Sequence, residues 1–325
     1  MKKILQIIVF IILIVIPIGI LKYDDCRSEQ GKTIVEVPET EGMRITLIGG
    51  SNTKDNGNTN SMGYFIRTKN GVLIAVDGGR NIDAQTLKSY IDKYGNGKVD
   101  YWFVTHAHGD HIGGLVELLK TENITIDNLY YSLCTREWYI TNDERGRDAE
   151  ISFLDSLSNP KIKNQFNCTK GQKIDIDNLT CEIIRVANPA ITDSDNGNEM
   201  SMTFKFTAND VDKSMLFLGD SYSRASEELV LEKDKLGSYA VQMAHHGQNG
   251  VTEEVYNYIH PTVCFYNAPL WLFNNDLGKG YNTAQFKSVE VQKWMEKFNP
   301  IQYKAYEGDV TVQLYSGGQR VVDNW

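Results

Sequence analysis

Apolar residues are distributed along the chain in three ways. Residues 4–21, ILQIIVFIILIVIPIGIL, form a run broken only by Gln6, Pro17 and Gly19. Residues 23–41, YDDCRSEQGKTIVEVPETE, hold no sustained period and read as a polar tether. From Met43 the pattern turns to short β-rich runs, MRITLIG, SMGYFIRT and GVLIAVD, separated by Gly/Asn turns. The insert GGSNTKDNGNTN between the first two reads as a solvated loop. IDAQTLKSYIDKYG spaces Ile82, Leu87 and Ile91 for a helix that stops at Gly95. VDYWFV is a strand, and from Ile112 a helix is expected with Leu115, Leu118 and Leu119 on one face.

Farther on, helices are expected near 145–157 and 222–232, and strands near 180–187, 201–207 and 214–218. AVQMA, TVCFYN and VTVQLY read as strands, VTEEVYNYI as a helix, and AQFKSVEVQKWMEKF as a long final helix. Runs of strands with helices through both halves predict sheets covered by outer helices.

Composition sharpens this picture in two respects. The chain has 325 residues, 41% hydrophobic and 23% charged, which suits a globular domain over residues 42–325. Its formal charge of −9, from 33 Lys plus Arg against 42 Asp plus Glu, argues against a broad basic face for nucleic acid. It leaves room for a site that meets phosphates through bound cations. Cys26, Cys134, Cys168, Cys181 and Cys264 are too scattered for a disulfide scaffold and are expected as ordinary buried thiols.

The basic pair Lys2–Lys3 before the apolar run gives residues 1–22 the pattern of a membrane anchor or signal segment. No small-x-small cleavage site precedes KYDDC, which favours an anchor. The expectation is therefore an extracytoplasmic domain, membrane-anchored or secreted, that meets the membrane through its N-terminal segment.

The candidate chemistry sits where VDYWFV ends. In THAHGDH, His106, His108, Asp110 and His111 fall within six residues, between a strand and a helix. Imidazole nitrogens and a carboxylate at this spacing suit zinc and related transition metals. Alternation lets His106 and His108 share one ion, while Asp110 and His111 reach a second as the chain turns into the helix.

With this cluster the sequence resembles the metallo-β-lactamase superfamily, whose signature is HxHxDH after a strand. The resemblance runs from about Met43 to Asp323. It implies an α/β fold, the four-layer αββα metallo-β-lactamase-like sandwich. GVLIAVDGG is similar to the family's strand ending in an aspartate, here Asp77, that shapes the site floor. SMLFLGD matches the strand ending in the aspartate that bridges two ions, here Asp220, and VQMAHHGQ supplies a late histidine. His245, at the immediate strand end, is preferred over His246, which is left for the outer shell or the substrate. The implied metal set is His106, His108, Asp110, His111, Asp220 and one of His245 or His246, holding two divalent ions, zinc or alternatively manganese.

One departure stands out. None of the six histidines lies between His111 and His245, so the family's mid-chain ligand is missing, and the first site is expected either to be completed by water or an oxygen ligand or to bind its ion weakly. In its place stands DSDNGNEMSMTFKF, with Asn198 and Ser201 before a strand. This pattern resembles the hydrolase domain of the competence protein ComEC and the teichoic-acid phosphorylcholine esterases.

The resemblance implies a metal-bound hydroxide positioned by Asp110 and Asp220, the candidate catalytic residues, and hydrolysis of a phosphoester in preference to a β-lactam. The expected substrate is a small-molecule or cell-envelope phosphodiester, including choline-bearing esters. The alternatives are a ComEC-like nuclease and a non-catalytic metal-binding surface module. Trp271, Phe273 and Tyr281 offer an aromatic rim for a quaternary ammonium. His260 has no motif partner and reads as a surface or packing histidine.

Overall fold

β-branched and aromatic residues recur so densely in the inner strands that both of their faces are apolar, the pattern of sheets covered on two sides. The computed structural model describes residues 41–53, 59–194 and 196–322. The anchor expected over 1–22, nearly all of the tether, Cys26 and part of the 49–60 insert lie outside the described residues. Among the described residues, no helix is long and apolar enough to cross a membrane.

Two sheets are present among them. The first runs β15 (Gly318–Val321), β14 (Val310–Tyr315), β1 (Met43–Leu47), β2 (Gly63–Arg67), β3 (Leu73–Asp77), β4 (Lys98–Phe103), β5 (Thr125–Tyr131), β6 (Ile162–Asn167). The second runs β13 (Ile301–Lys304), β12 (Val263–Tyr266), β11 (Ala240–Gln242), β10 (Lys213–Phe217), β9 (Thr203–Ala208), β8 (Leu179–Arg185), β7 (Lys173–Ile176). β3 to β6 pair in parallel, as do β10 to β13, so each sheet has a half whose strands end on the same side.

Side chains alternate between the faces of a strand. Ile45, Tyr64, Ile66, Val76 and Phe103 of the first sheet meet Phe204, Phe206, Phe217 and Phe265 of the second in a common core. Phe65, Ala75 and Trp102 point the other way, onto α1 (Ala84–Gly95), α2 (Gly109–Thr121) and α4 (Arg147–Ser156), through Leu87, Ile91, Leu115, Leu118 and Phe153. α3 (Arg136–Asn142) precedes α4. On the far side, Leu216, Val241 and Cys264 pack on α5 (Ser223–Leu231), α6 (Glu253–Ile259) and α7 (Ser288–Glu296) through Leu229, Val255, Ile259 and Val291. The four layers are helix, sheet, sheet, helix, as the resemblance implied.

The differences from the sequence reading have local causes. Ile82 is 53% exposed, because α1 begins only at Ala84, after a 3-10 turn. The final helix is shorter than expected: Phe286 N–H donates to the Asn275 side chain and Lys287 N–H to Asn249, and these asparagines hold the chain out of the helix before Ser288. Cys134, Cys168, Cys181 and Cys264 are free and buried.

Candidate metal centre

The centre is built on strand ends. β3 finishes on Asp77, whose φ of 55° turns its carboxylate back under the following strand end. Asp77 Oδ1 accepts the Thr105 N–H and Oδ2 the Thr105 hydroxyl, both at 2.7 Å. Oδ2 also lies 2.7 Å from His111 Nδ1. α2 can bring His111 there because its glycines allow close approach: a Cβ on Gly114 would fall 2.2 Å from the Gly78 carbonyl oxygen. Asp110, one residue earlier, accepts from Asn60 Nδ2 at 2.7 Å, with Arg80 at 3.7 Å.

The second sheet contributes Asp220, just past β10. The Gln242 side-chain oxygen accepts the Leu218 and Gly219 N–H groups at 2.9 and 2.8 Å, and Ser201 Oγ accepts the Asp220 N–H at 2.9 Å. Past β11, His245 and His246 both take left-handed backbone, with φ of 50° and 60°. His246 is 1% exposed, and its Nε2 lies 3.3 Å from Asp110 Oδ2 and 3.4 Å from Asp220 Oδ2. His245 is half-buried, 3.8 Å from Asp220 Oδ2 and 3.4 Å from Asn198 Nδ2. The geometry favours His246 over the His245 preferred from the sequence: His246 joins Asp110 and His111, and His245 stands at the margin. His106, His111 and Asp220 form the neighbouring group.

His108 stands apart from both groups. Its Nε2 faces Asp143 Oδ2 at 2.8 Å and Glu150 Oε1 at 3.9 Å. Asp143, Glu150, Asn60 and Arg80 were not anticipated from the sequence, being single polar residues in loops or on a helix with no motif to mark them. Phe273 packs between Tyr266 and Tyr306 at 5.2 and 5.4 Å, so it serves the core. Trp271 lines a cavity of about 300 Å³ with Asn52, Pro269 and Tyr306, and Tyr281 is 63% exposed. His260 is exposed and meets the Phe298 ring edge-on.

The electrostatics follow from burying so many charges together. Burial, aided by His111 and His108, holds His106 well below the ordinary histidine range. Burial also opposes charge on His111 and His246, yet the Asp220, Asp77 and Asp110 carboxylates outweigh it, lifting His111 well above and His246 to about 9. Despite burial, the same contacts hold Asp110 and Asp220 well below the carboxylate range. For Glu150, burial and the Asp143 charge push its carboxyl up to about 10.

Whether these residues suit metal ions is answered by their unused atoms. His106 Nε2, His111 Nε2, His246 Nε2 and Asp220 Oδ1 are all buried and have no hydrogen-bond partner. Orphaned polar atoms are costly in an apolar interior. Here they converge within ligand reach of one another, and imidazole plus carboxylate is a donor set for zinc, manganese or iron. The residues fit.

Comparison with known proteins agrees. The family described as "Metallo-beta-lactamase superfamily" matches residues 57–133. Ribonuclease Z of Haloarcula marismortui is 34% identical over 80 residues, a stretch that is 24% of this chain and 24% of that protein. Among solved structures, the metallo-beta-lactamase fold protein YhfI from Bacillus subtilis aligns with TM-score 0.50 and 13% identity over 83% of this chain and all of its own. CmlA, a diiron beta-hydroxylase from Streptomyces venezuelae, aligns with TM-score 0.53 and 10% identity over 84% of this chain and 54% of its own. These two likenesses are of fold. Residues 57–133 thus match the metallo-β-lactamase superfamily, and the layered fold around them is that of a metallo-β-lactamase-fold protein.

Proposed function

We propose that this chain is an extracytoplasmic phosphoesterase that hydrolyses a cell-envelope or choline-bearing phosphodiester. The observation that carries the reading is the convergence of Asp110, His111, His246, His106 and Asp220, in which His106 Nε2, His111 Nε2, His246 Nε2 and Asp220 Oδ1 are buried without a hydrogen-bond partner. When bound, two divalent ions would supply Lewis acidity and an activated water. The protein's own residues do the rest. Asp220 stands between the two histidine groups, and the Gln242 and Ser201 hydrogen bonds hold it there. Asn60 fixes the Asp110 carboxylate. His245, half-buried beside the cluster with its Nδ1 proton on the Asn249 carbonyl, is placed to accept a hydrogen bond from substrate or water through Nε2.

A phosphodiester is favoured by the NxxS pattern at Asn198 and Ser201 and by the relative named ribonuclease Z, since RNA is joined by phosphodiesters. That name also keeps a nuclease as the second reading. The net charge of −9 weighs against it, because polynucleotide binding draws on phosphate neutralisation along a groove. The extracytoplasmic placement rests on residues 1–22 and is checked by fractionating cells that express the whole chain.

The deciding experiment is a hydrolysis panel on the purified chain with Zn²⁺ and Mn²⁺ supplied separately. Turnover of p-nitrophenylphosphorylcholine well above that of single-stranded DNA and RNA supports the proposal. Faster cleavage of nucleic acid would replace it with the nuclease, and metal uptake without turnover on any substrate would leave a binding module.

A further inference from the structure

The histidines around the centre are anchored by one nitrogen each, and one of them is anchored the other way round. His111 Nδ1 faces Asp77, His246 Nδ1 donates to the Asn267 carbonyl at 2.8 Å, and His245 Nδ1 to the Asn249 carbonyl at 2.6 Å. Each thereby presents Nε2 to the cluster. His108 is held instead by Nε2, against Asp143 Oδ2 at 2.8 Å.

We infer that Asp143 is a positioning residue that commits His108 to binding a metal ion through Nδ1, and that Glu150 walls it in that role. A carboxylate only accepts, so the nitrogen facing it must carry the proton and the other ring nitrogen keeps the lone pair. Asp143 cannot easily turn away. Its Oδ1 accepts the Arg145 and Gly146 N–H groups at 3.1 and 3.0 Å, which leaves Oδ2 aimed at the ring. Two glycines leave the pair its space: a Cβ on Gly146 would fall 2.4 Å from His108 Nε2, and one on Gly197 would fall 1.9 Å from Asp143 Oδ2. Glu150, 1% exposed, lies 3.9 Å from His108 Nε2.

The arrangement matters more here than in a site with every ligand present. No histidine lies between His111 and His245, and the His108 ring lies 4.6 Å from that of His106, so on this inference His108 is the further imidazole that the site at His106 draws on. Losing the correct His108 tautomer would remove that imidazole and leave His106 and His111.

The test is Asp143→Asn. The two N–H groups would keep the amide oxygen, so the amide NH₂ would face His108 and force the proton onto Nδ1. In metal titrations of the whole chain, followed by Co²⁺ absorption and elemental analysis, the weaker ion should lose about 10- to 100-fold in affinity. The tighter ion should stay. In the parent loaded with Zn²⁺, ¹⁵N shifts should show His108 protonated at Nε2. That measurement stands even if the variant folds poorly. Unchanged affinity for both ions in a folded Asp143→Asn protein, or an Nδ1-protonated His108 in the parent, overturns the inference. The inference rests on the metal-centre reading: a parent that takes up no transition metal overturns both, whereas a parent with two ions and an indifferent variant overturns this one alone.

Discussion

Asp77 and Thr105 are joined twice, the carboxylate taking both the backbone N–H and the hydroxyl of Thr105 at 2.7 Å. The pair ties the end of β3 to the residue just before His106 and sets the His111 ring. Asp77→Asn places an amide NH₂ against His111 Nδ1 or costs a Thr105 bond. Metal affinity should fall about 10- to 100-fold with the fold retained. Thr105→Val, which strips one donor from a buried carboxylate, should cost about 1–3 kcal/mol. Metal titration and chemical denaturation check the two separately.

Asp220→Ala removes the carboxylate between the two histidine groups. Metal content should drop for both ions, and turnover by orders of magnitude, while circular dichroism stays that of the parent. His260→Ala is the control. That residue sits exposed against Phe298, and its loss should change neither metal content nor rate. Equal damage from both substitutions would show that the centre has been placed wrongly.

The two adjacent late histidines should separate cleanly. His246→Ala takes a buried nitrogen from the Asp110–His111 group and should release an ion. His245→Ala should leave metal content intact and lower the rate alone. Elemental analysis beside a rate assay decides, and the opposite pattern would restore His245 as the ligand.

Glu150 gives a pH dependence whose sign is fixed. In the metal-free protein its carboxyl is raised to about 10 from an ordinary 4.5, first by burial and then by Asp143. The folded state therefore keeps a proton that the unfolded chain releases, and stability falls as pH rises from 4.5 toward 10. Glu150→Gln has no such proton to lose. Its Tm should exceed that of the metal-free parent at about pH 8, and the gap should close near the unfolded carboxyl's titration. A gap that is constant with pH would mean that Glu150 is ionised in the fold.

Trp271 and Phe273 should part company. Phe273→Ala opens the packing beside Tyr266 and Tyr306 and should cost about 3 kcal/mol, the low end for aromatic truncation. Trp271→Ala should leave Tm nearly unchanged and raise KM for choline-bearing esters about 2- to 30-fold, the worth of a cation–π contact. Neutral phosphodiesters should be unaffected. A matching KM change on both classes would take choline out of the reading.

The centre was legible wherever several ligand-type residues follow a strand. THAHGDH, Asp77 and Asp220 are read from strand endings, because a polar residue that closes an apolar run must be satisfied by something at the sheet margin. Asp143 and Glu150 were not, since a lone carboxylate in a loop or on a helix has the same sequence signature whether it is solvated or buried. Edge strands failed for a related reason: β6 is mostly exposed and polar, so its pairing with β5 leaves no hydrophobic period. The choice between His245 and His246 was not legible, because both take left-handed backbone and strand alternation does not carry through two such residues.

The centre draws its side chains from both sheets: His106 and His111 follow β4, whereas Asp220 and His246 follow β10 and β11. An ion held between them is a cross-link that closes a loop of about 110 residues, as a disulfide would, but one set by free metal concentration. Chelation should therefore loosen the whole sandwich, and the melting temperature should climb with the logarithm of added metal. Supply of the ion would then govern how long the folded chain persists as well as whether it can react.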